Sequence, residues 1–215
     1  YYWSIHKKSI IKSEIDKTLV KKTNGLYTLT YDLFELDEVA GSLLITECFL
    51  QYDSSILSSQ QDNSQEPSTV FNLYIPKITV SGVQTPRALL EKEIAGNNID
   101  IYQPTIELIY TGKGKDSSRT VPREELYRQL LGKMQSLQMN QVSIRDAHVF
   151  VRRLGNPDTL LTIEHFTIVL NKVLVDSASS TDSTRFLFAK ELAGTAASVK
   201  WKTRNGDYAF QLDTI

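Results

Sequence analysis

Imidazole is the side chain best suited to move a proton or hold a transition metal near neutral pH, and this chain has three histidines. His6 stands near the start. His148 and His165 fall inside runs that alternate apolar and polar residues, beside Ala147 and Phe166. A locally encoded metal site needs ligands at convergent spacing, and no His-x-His, Cys-x-x-Cys or His-Glu-x-x-His occurs. The pattern predicts histidines on strands, facing solvent or the core edge, with neither metal nor cofactor. Asp32, Glu35, Asp37 and Glu38 cluster around the first predicted hairpin. Two carboxylates about 5–9 Å apart across a cleft can cut a glycosidic bond, but here the cluster reads as the wet side and bend of a strand pair. Gly112-Lys113-Gly114-Lys115 lacks Walker spacing and reads as a flexible tip. Arg152-Arg153 could meet lipid phosphate, although surface charge is the plainer reading. Neither a Gly-x-Ser-x-Gly elbow nor a Gly-x-Gly-x-x-Gly loop is present. No motif for catalysis survives, so a non-enzymatic protein is expected.

Composition narrows the field further. The 215 residues carry 24 basic and 25 acidic side chains, a net charge of −1 that gives no pull toward nucleic acid. One cysteine excludes an internal disulfide; Cys48 lies in the alternating run Leu44, Thr46, Cys48, Leu50 and reads as a small buried residue. Nothing in cysteine usage fixes the compartment. No stretch of about twenty apolar residues exists to span a bilayer. Tyr1-Tyr2-Trp3 followed by His6-Lys7-Lys8 resembles the interfacial end of a membrane helix, or equally an aromatic-capped helix start.

The elements that would position any site are mostly strands. Residues 5–22 predict a helix with Ile11, Ile15 and Leu19 on one face, stopped by Thr23-Asn24-Gly25. Period-two alternation then begins with Tyr27, Leu29, Tyr31 and Leu33, and resumes over 42–52. Residues 53–69, polar and poor in bulky groups, predict a mobile loop within a single domain spanning 1–215. Strands follow near 70–83, 97–103 and 104–111, with a short helical turn at 85–92. A second helix is predicted near 122–134, with Pro122 just inside its start. Strands return near 139–153, 159–176, 184–190, 195–203 and 206–214, with Asn205-Gly206 as a hairpin signal. Leu89-Leu90 and Leu130-Leu131 occupy matching places about 41 residues apart, each followed by a pair of strands. The expected fold is mainly β: an elongated, twisted, mostly antiparallel, repeat-like sheet forming an open trough or a sandwich.

Leu19 through Asp32, with Tyr27-Thr28-Leu29-Thr30-Tyr31-Asp32 at its end, leads into Leu36-Asp37 and Gly41-Ser42-Leu43-Leu44-Ile45. This resembles the amino-terminal module of AsmA-like envelope proteins of the Bacteroidetes type. Residues 78–83 and 99–108 are similar to that family's repeating strand pairs. The resemblance implies a periplasmic protein anchored in the inner membrane by a helix absent from this sequence. It also implies a sheet curled into an apolar trough, a role in phospholipid movement or outer-membrane assembly, and no catalytic residues. Phospholipid or another acyl-chain lipid, and envelope proteins, are the partners it implies.

An alternating sheet that does not close leaves one apolar side able to shelter acyl chains, at about 0.8 kcal/mol per methylene removed from water. The residues expected to line it are Leu29, Tyr31, Ile75, Ile78, Val80, Ile101, Ile106, Leu108, Ile144, Val149, Ile163 and Ile168. The alternative is that they form a closed core. Two other functions compete: a scaffold recruiting partners by strand addition, and a glycan-active β-solenoid with two carboxylates facing a groove.

Overall fold

The computed structural model describes residues 13, 16–61, 67–84, 91–111, 131, 134–156, 158–179, 181–203 and 208–214. The protein is mainly β; the described residues form eleven strands in one mixed, mostly antiparallel sheet. Helix α1, described at residues 16–23, ends where Asn24 and Gly25 adopt left-handed φ values of 50° and 78°. The Gly25 N–H then donates to the Val20 carbonyl at 3.0 Å. Residues 5–12, 14 and 15 of that predicted helix lie outside the described residues.

Strands β1 (Tyr27–Thr30) and β2 (Leu33–Asp37) both pair antiparallel with β3 (Ser42–Tyr52). Helix α2 (Ser54–Gln61) follows, then β4 (Thr69–Ser81), which lies beside β3 and also pairs with β5 (Glu93–Tyr102) and β6 (Thr105–Tyr110). β5 and β6 run parallel to β7 (Ser136–Arg153). The hairpin partner β8 (Thr159–Val175) then pairs with β9 (Glu191–Thr195) and β10 (Ser198–Lys202), and β11 (Ala209–Asp213) lies outside β10. Among the described residues no pairing joins β1 or β2 to β11, so the sheet stays open. The parallel pairing holds one offset throughout: Asp100 meets Ser143 and Gln103 meets Asp146, 43 residues apart. This is close to the spacing of the Leu-Leu pairs.

A transverse crease shapes the sheet. Glu47, Gln103, Asp146, His165 and Thr214 have φ between 49° and 57°. They stand level with one another, with Pro76, and with the breaks between β1 and β2, β5 and β6, and β9 and β10. Left-handed residues inside strands act as bulges that bend the chain and re-aim side chains. Their side chains join the polar face: the Tyr74 hydroxyl donates to Glu47 at 2.7 Å, and His165 lies against His148. At Glu47, Gln103, Asp146 and His165 two consecutive residues thus face the polar side, and the alternation resumes with its apolar face preserved. The additional residue lengthens the polar face, so the sheet bends toward the apolar one. Small or compact buried residues, Cys48, Pro104, Ala147 and Ala196, fill the inside of that bend.

Fully buried clusters sit at opposite ends of the strands. Met139, Val173, Val175, Phe188, Ala189 and Leu131 close one end; Leu26, Leu57, Val70 and Ile109 close the other. The second cluster explains why part of 53–69 is helical rather than a loop. Asp53 caps α2, its Oδ1 accepting from the Ser55 and Ile56 N–H groups at 2.7 and 3.2 Å, and Leu57 anchors it. Residues 184–190 also depart from the predicted strand. Asp182 holds a turn through Thr184 and Arg185, Leu187 and Phe188 take positive φ, and one isolated bridge, Phe186 to Ala189, remains. Of the helix predicted near 122–134, Leu131 is helical and buried; residues 122–130 and 132–133 lie outside the described residues, as do 85–90 and Asn205-Gly206.

The two kinds of apolar position should respond differently to truncation. Met139→Ala, at a site 1 % exposed, is expected to cost about 2–5 kcal/mol in urea unfolding at unchanged slope. Ile101→Ala is expected to cost roughly half of this or less, because part of its surface is already in water. Equal losses would mean that the middle of the sheet is packed as tightly as its ends.

Candidate functional site

Pairing register aligns the apolar residues into rows that cross the sheet. Leu29, Leu50, Leu73, Ile106, Val149 and Ile163 are successive partners, and Val199 and Leu212 continue the row to the last strand. Beyond the crease, Phe34, Ile45, Ile78, Ile101, Ile144 and Ile168 form a second row, and Leu36, Leu43, Val80, Ile99, Val142 and Leu170 a third. Leu108 belongs to a fourth, between Phe71 and Val151. Cross-strand neighbours of this kind stabilise one another by roughly 0.2–1 kcal/mol per pair.

The twelve residues expected to line a groove therefore share the apolar face. Eleven are partly exposed. Ile75 is buried beside Cys48 on the inside of the crease, where nothing outside the protein would reach it. Tyr31 lies in the break between β1 and β2, its ring 5.8 Å from that of Phe34, and burial followed by the charge of Asp16 pushes its phenol up. Burial likewise pushes the Cys48 thiol up, which suits a packing role. Toward β11 the apolar face is the least covered: Trp201, Phe210 and Leu212 are 53 %, 53 % and 59 % exposed.

The opposite face is polar and cross-linked. Asp100 accepts from the Ser143 hydroxyl and pairs with the Arg145 guanidinium at 2.9 Å. Burial pushes its carboxyl up, but those two partners outweigh burial and hold it below the ordinary aspartate value. Glu107 behaves the same way: burial raises it, and Arg152 together with the Asn72 amide, at 2.7 Å, lowers it further than burial raises it. Arg152 is thus engaged within the sheet. Asp37, one of the carboxylates weighed for glycan chemistry, caps a turn by accepting from the Val39 and Ala40 N–H groups, both at 2.9 Å.

On this polar face the crease gathers three further groups. His165 Nδ1 lies 2.5 Å from Asp146 Oδ1, the His148 and His165 rings are 5.1 Å apart, and Gln103 Nε2 donates to Asp146 Oδ2 at 3.0 Å. The Gln103 and His165 hydrogen bonds hold the Asp146 carboxyl low, against a smaller opposing effect of burial. Sequence spacing alone places Asp146 and His148 two apart on one strand, as ligands on one face would be. His165 joins them only because β8 returns beside β7 and bulges there.

No model of a known protein family matches this chain, and no curated protein matches it.

Both low carboxyls make stability depend on acid. Asp and Glu titrate near about 3.9 and 4.3 in an unfolded chain. The stabilisation from Asp100 and Glu107 is therefore complete above those values and is lost as pH falls through the lower folded ones. Asp100→Asn is expected to reduce stability at neutral pH and to flatten the acid side of a stability-against-pH curve. An unchanged acid slope would show that the Asp100 cluster does not carry this dependence.

Proposed function

We propose that this chain is an AsmA-like envelope module, non-enzymatic and periplasmic in its native setting, that shelters acyl chains of lipid along the apolar face of its open sheet. The supporting observation is the aliphatic row from Leu29 to Leu212, which crosses the whole sheet while its members from Leu29 to Val199 stay only partly covered. At a strand spacing of about 4.8 Å, eight strands give a path of roughly 34 Å. The face offers few hydrogen-bonding side chains, so it suits a ligand recognised by area rather than by polar contacts. Each methylene buried contributes about 0.8 kcal/mol. About ten of them contribute ~8 kcal/mol before the cost of association is subtracted. The residue pattern from Leu19 to Ile45 supports the same reading, and in that setting the partners are phospholipid, the inner membrane and other envelope proteins.

A second reading is favoured by one feature. β11 is an edge strand with exposed Phe210 and Leu212, a surface onto which a protein partner could add a strand.

Protein purified without detergent and analysed by mass spectrometry is expected to carry acyl lipid. Ile106→Glu with Val149→Glu, placed mid-row, should lower the bound lipid several-fold with the β-sheet signal unchanged. Lipid-free wild-type protein that also fails to take up a fluorescent fatty acid would overturn the lipid reading. A partner lost on Gln211→Pro, which removes a backbone donor from β11, but retained by the mid-row variant would favour the scaffold.

A further inference from the structure

We propose that Asp146, His148 and His165 form a binding site for a divalent first-row transition-metal ion, with Zn²⁺ the ion their donor atoms suit best. Two imidazole nitrogens and one carboxylate oxygen lie within 4.8 Å of one another. Ligand atoms about 2.0–2.1 Å from a tetrahedral zinc stand roughly 3.4 Å apart, so small side-chain rotations bring all three to bonding distance. Imidazole and carboxylate together favour ions of this class over the oxygen-seeking Mg²⁺ and Ca²⁺.

The framework around the three is rigid where it needs to be. Asp146 and His148 stand on β7 and His165 on β8, the most extensively paired strands of the sheet. Asp146 and His165 are both left-handed, at φ 56° and 53°. The spacing of two on β7 puts Asp146 on the polar face with His148, and the bulge in β8 brings His165 onto that face beside them. Gln103 donates to Asp146 Oδ2 and leaves Oδ1 directed at the imidazole of His165. Such an outer hydrogen bond is how proteins orient a ligating carboxylate. Coordination through His165 Nδ1 takes the imidazole tautomer with its proton on Nε2, and the ion then replaces the present contact between His165 and Asp146.

The His165 and Asp146 side chains are 61 % and 38 % exposed, so an ion can enter and a remaining coordination position faces water. Arg145, the adjacent cation, is committed to Asp100. The site lies on the face opposite the apolar rows, and it does not depend on the lipid reading.

The test uses tag-free full chain stripped with chelator, titrated calorimetrically with Zn²⁺ and followed by the visible absorption of bound Co²⁺. One equivalent is expected to bind at micromolar affinity or tighter. Asp146→Asn and His165→Asn keep a residue type that accepts left-handed backbone and should each weaken binding at least about tenfold. His148→Ala combined with His165→Asn should abolish it, while His6→Ala should leave it unchanged. Gln103→Asn, which withdraws the positioning amide, should weaken binding about 10–100-fold without moving the metal-free unfolding midpoint. Zn²⁺ should raise the unfolding midpoint of the wild type and not of the double variant, as binding to the folded state alone requires. Absence of stoichiometric binding, or affinity that survives the double substitution, would overturn the proposal.

Discussion

Glu47, Gln103, Asp146, His165 and Thr214 occupy one level of the sheet, each left-handed, and the rest of the molecule follows from that alignment. A single bulged strand would be a local kink. Bulges in register along one line preserve hydrogen-bonded pairing on both sides, so the whole sheet bends without tearing. Left-handed backbone costs non-glycine residues about 1–3 kcal/mol each. That cost is offset by keeping the apolar side continuous through the bend, with Cys48, Pro104 and Ala147 small or compact enough to fit inside it.

The two faces consequently carry different burdens. The polar face holds the strands in register through side-chain links such as Asp100 with Ser143 and Arg145, and Glu107 with Arg152 and Asn72. Leu131, Phe188 and Ala189 pack the apolar face fully at one end of the strands, and Cys48, Ile75, Pro104 and Ala147 fill the inside of the crease, while at the other end Leu57 of α2 covers Val70 and Ile109 on the side of Asn72 and Glu107. Between those ends a single bent layer, with no second sheet described against it, leaves aliphatic side chains half covered. A molecule of this design keeps its stability at the ends and along the polar face, and keeps the middle available.

The crease also brings chemistry together. Asp146 and His148 share a face by the ordinary alternation of β7, and His165 meets them because β8 returns beside β7 and bulges there. One structural device thus preserves an apolar surface on one side and gathers two imidazoles and a carboxylate on the other.

Strand content, most strand positions, the end of α1 and the membership of the apolar face were all legible in the sequence. Period-two patterning and Asn-Gly stops are local properties, and local sterics enforce them. Less legible was α2, where polar composition over 53–69 hid the Asp53 cap and the Leu57 anchor, whose partners Val70 and Ile109 lie on distant strands. The turn at 184–190 was hidden likewise, because its side chains bond one another rather than extend. The sequence by itself determined which residues are oily, which are wet and that they alternate. Tertiary structure alone decided that Ile75 is sealed while Ile106 is not, and that His165 meets Asp146 across 19 residues. Burial and convergence depend on which strands become neighbours and where they bend, and no residue encodes those by itself.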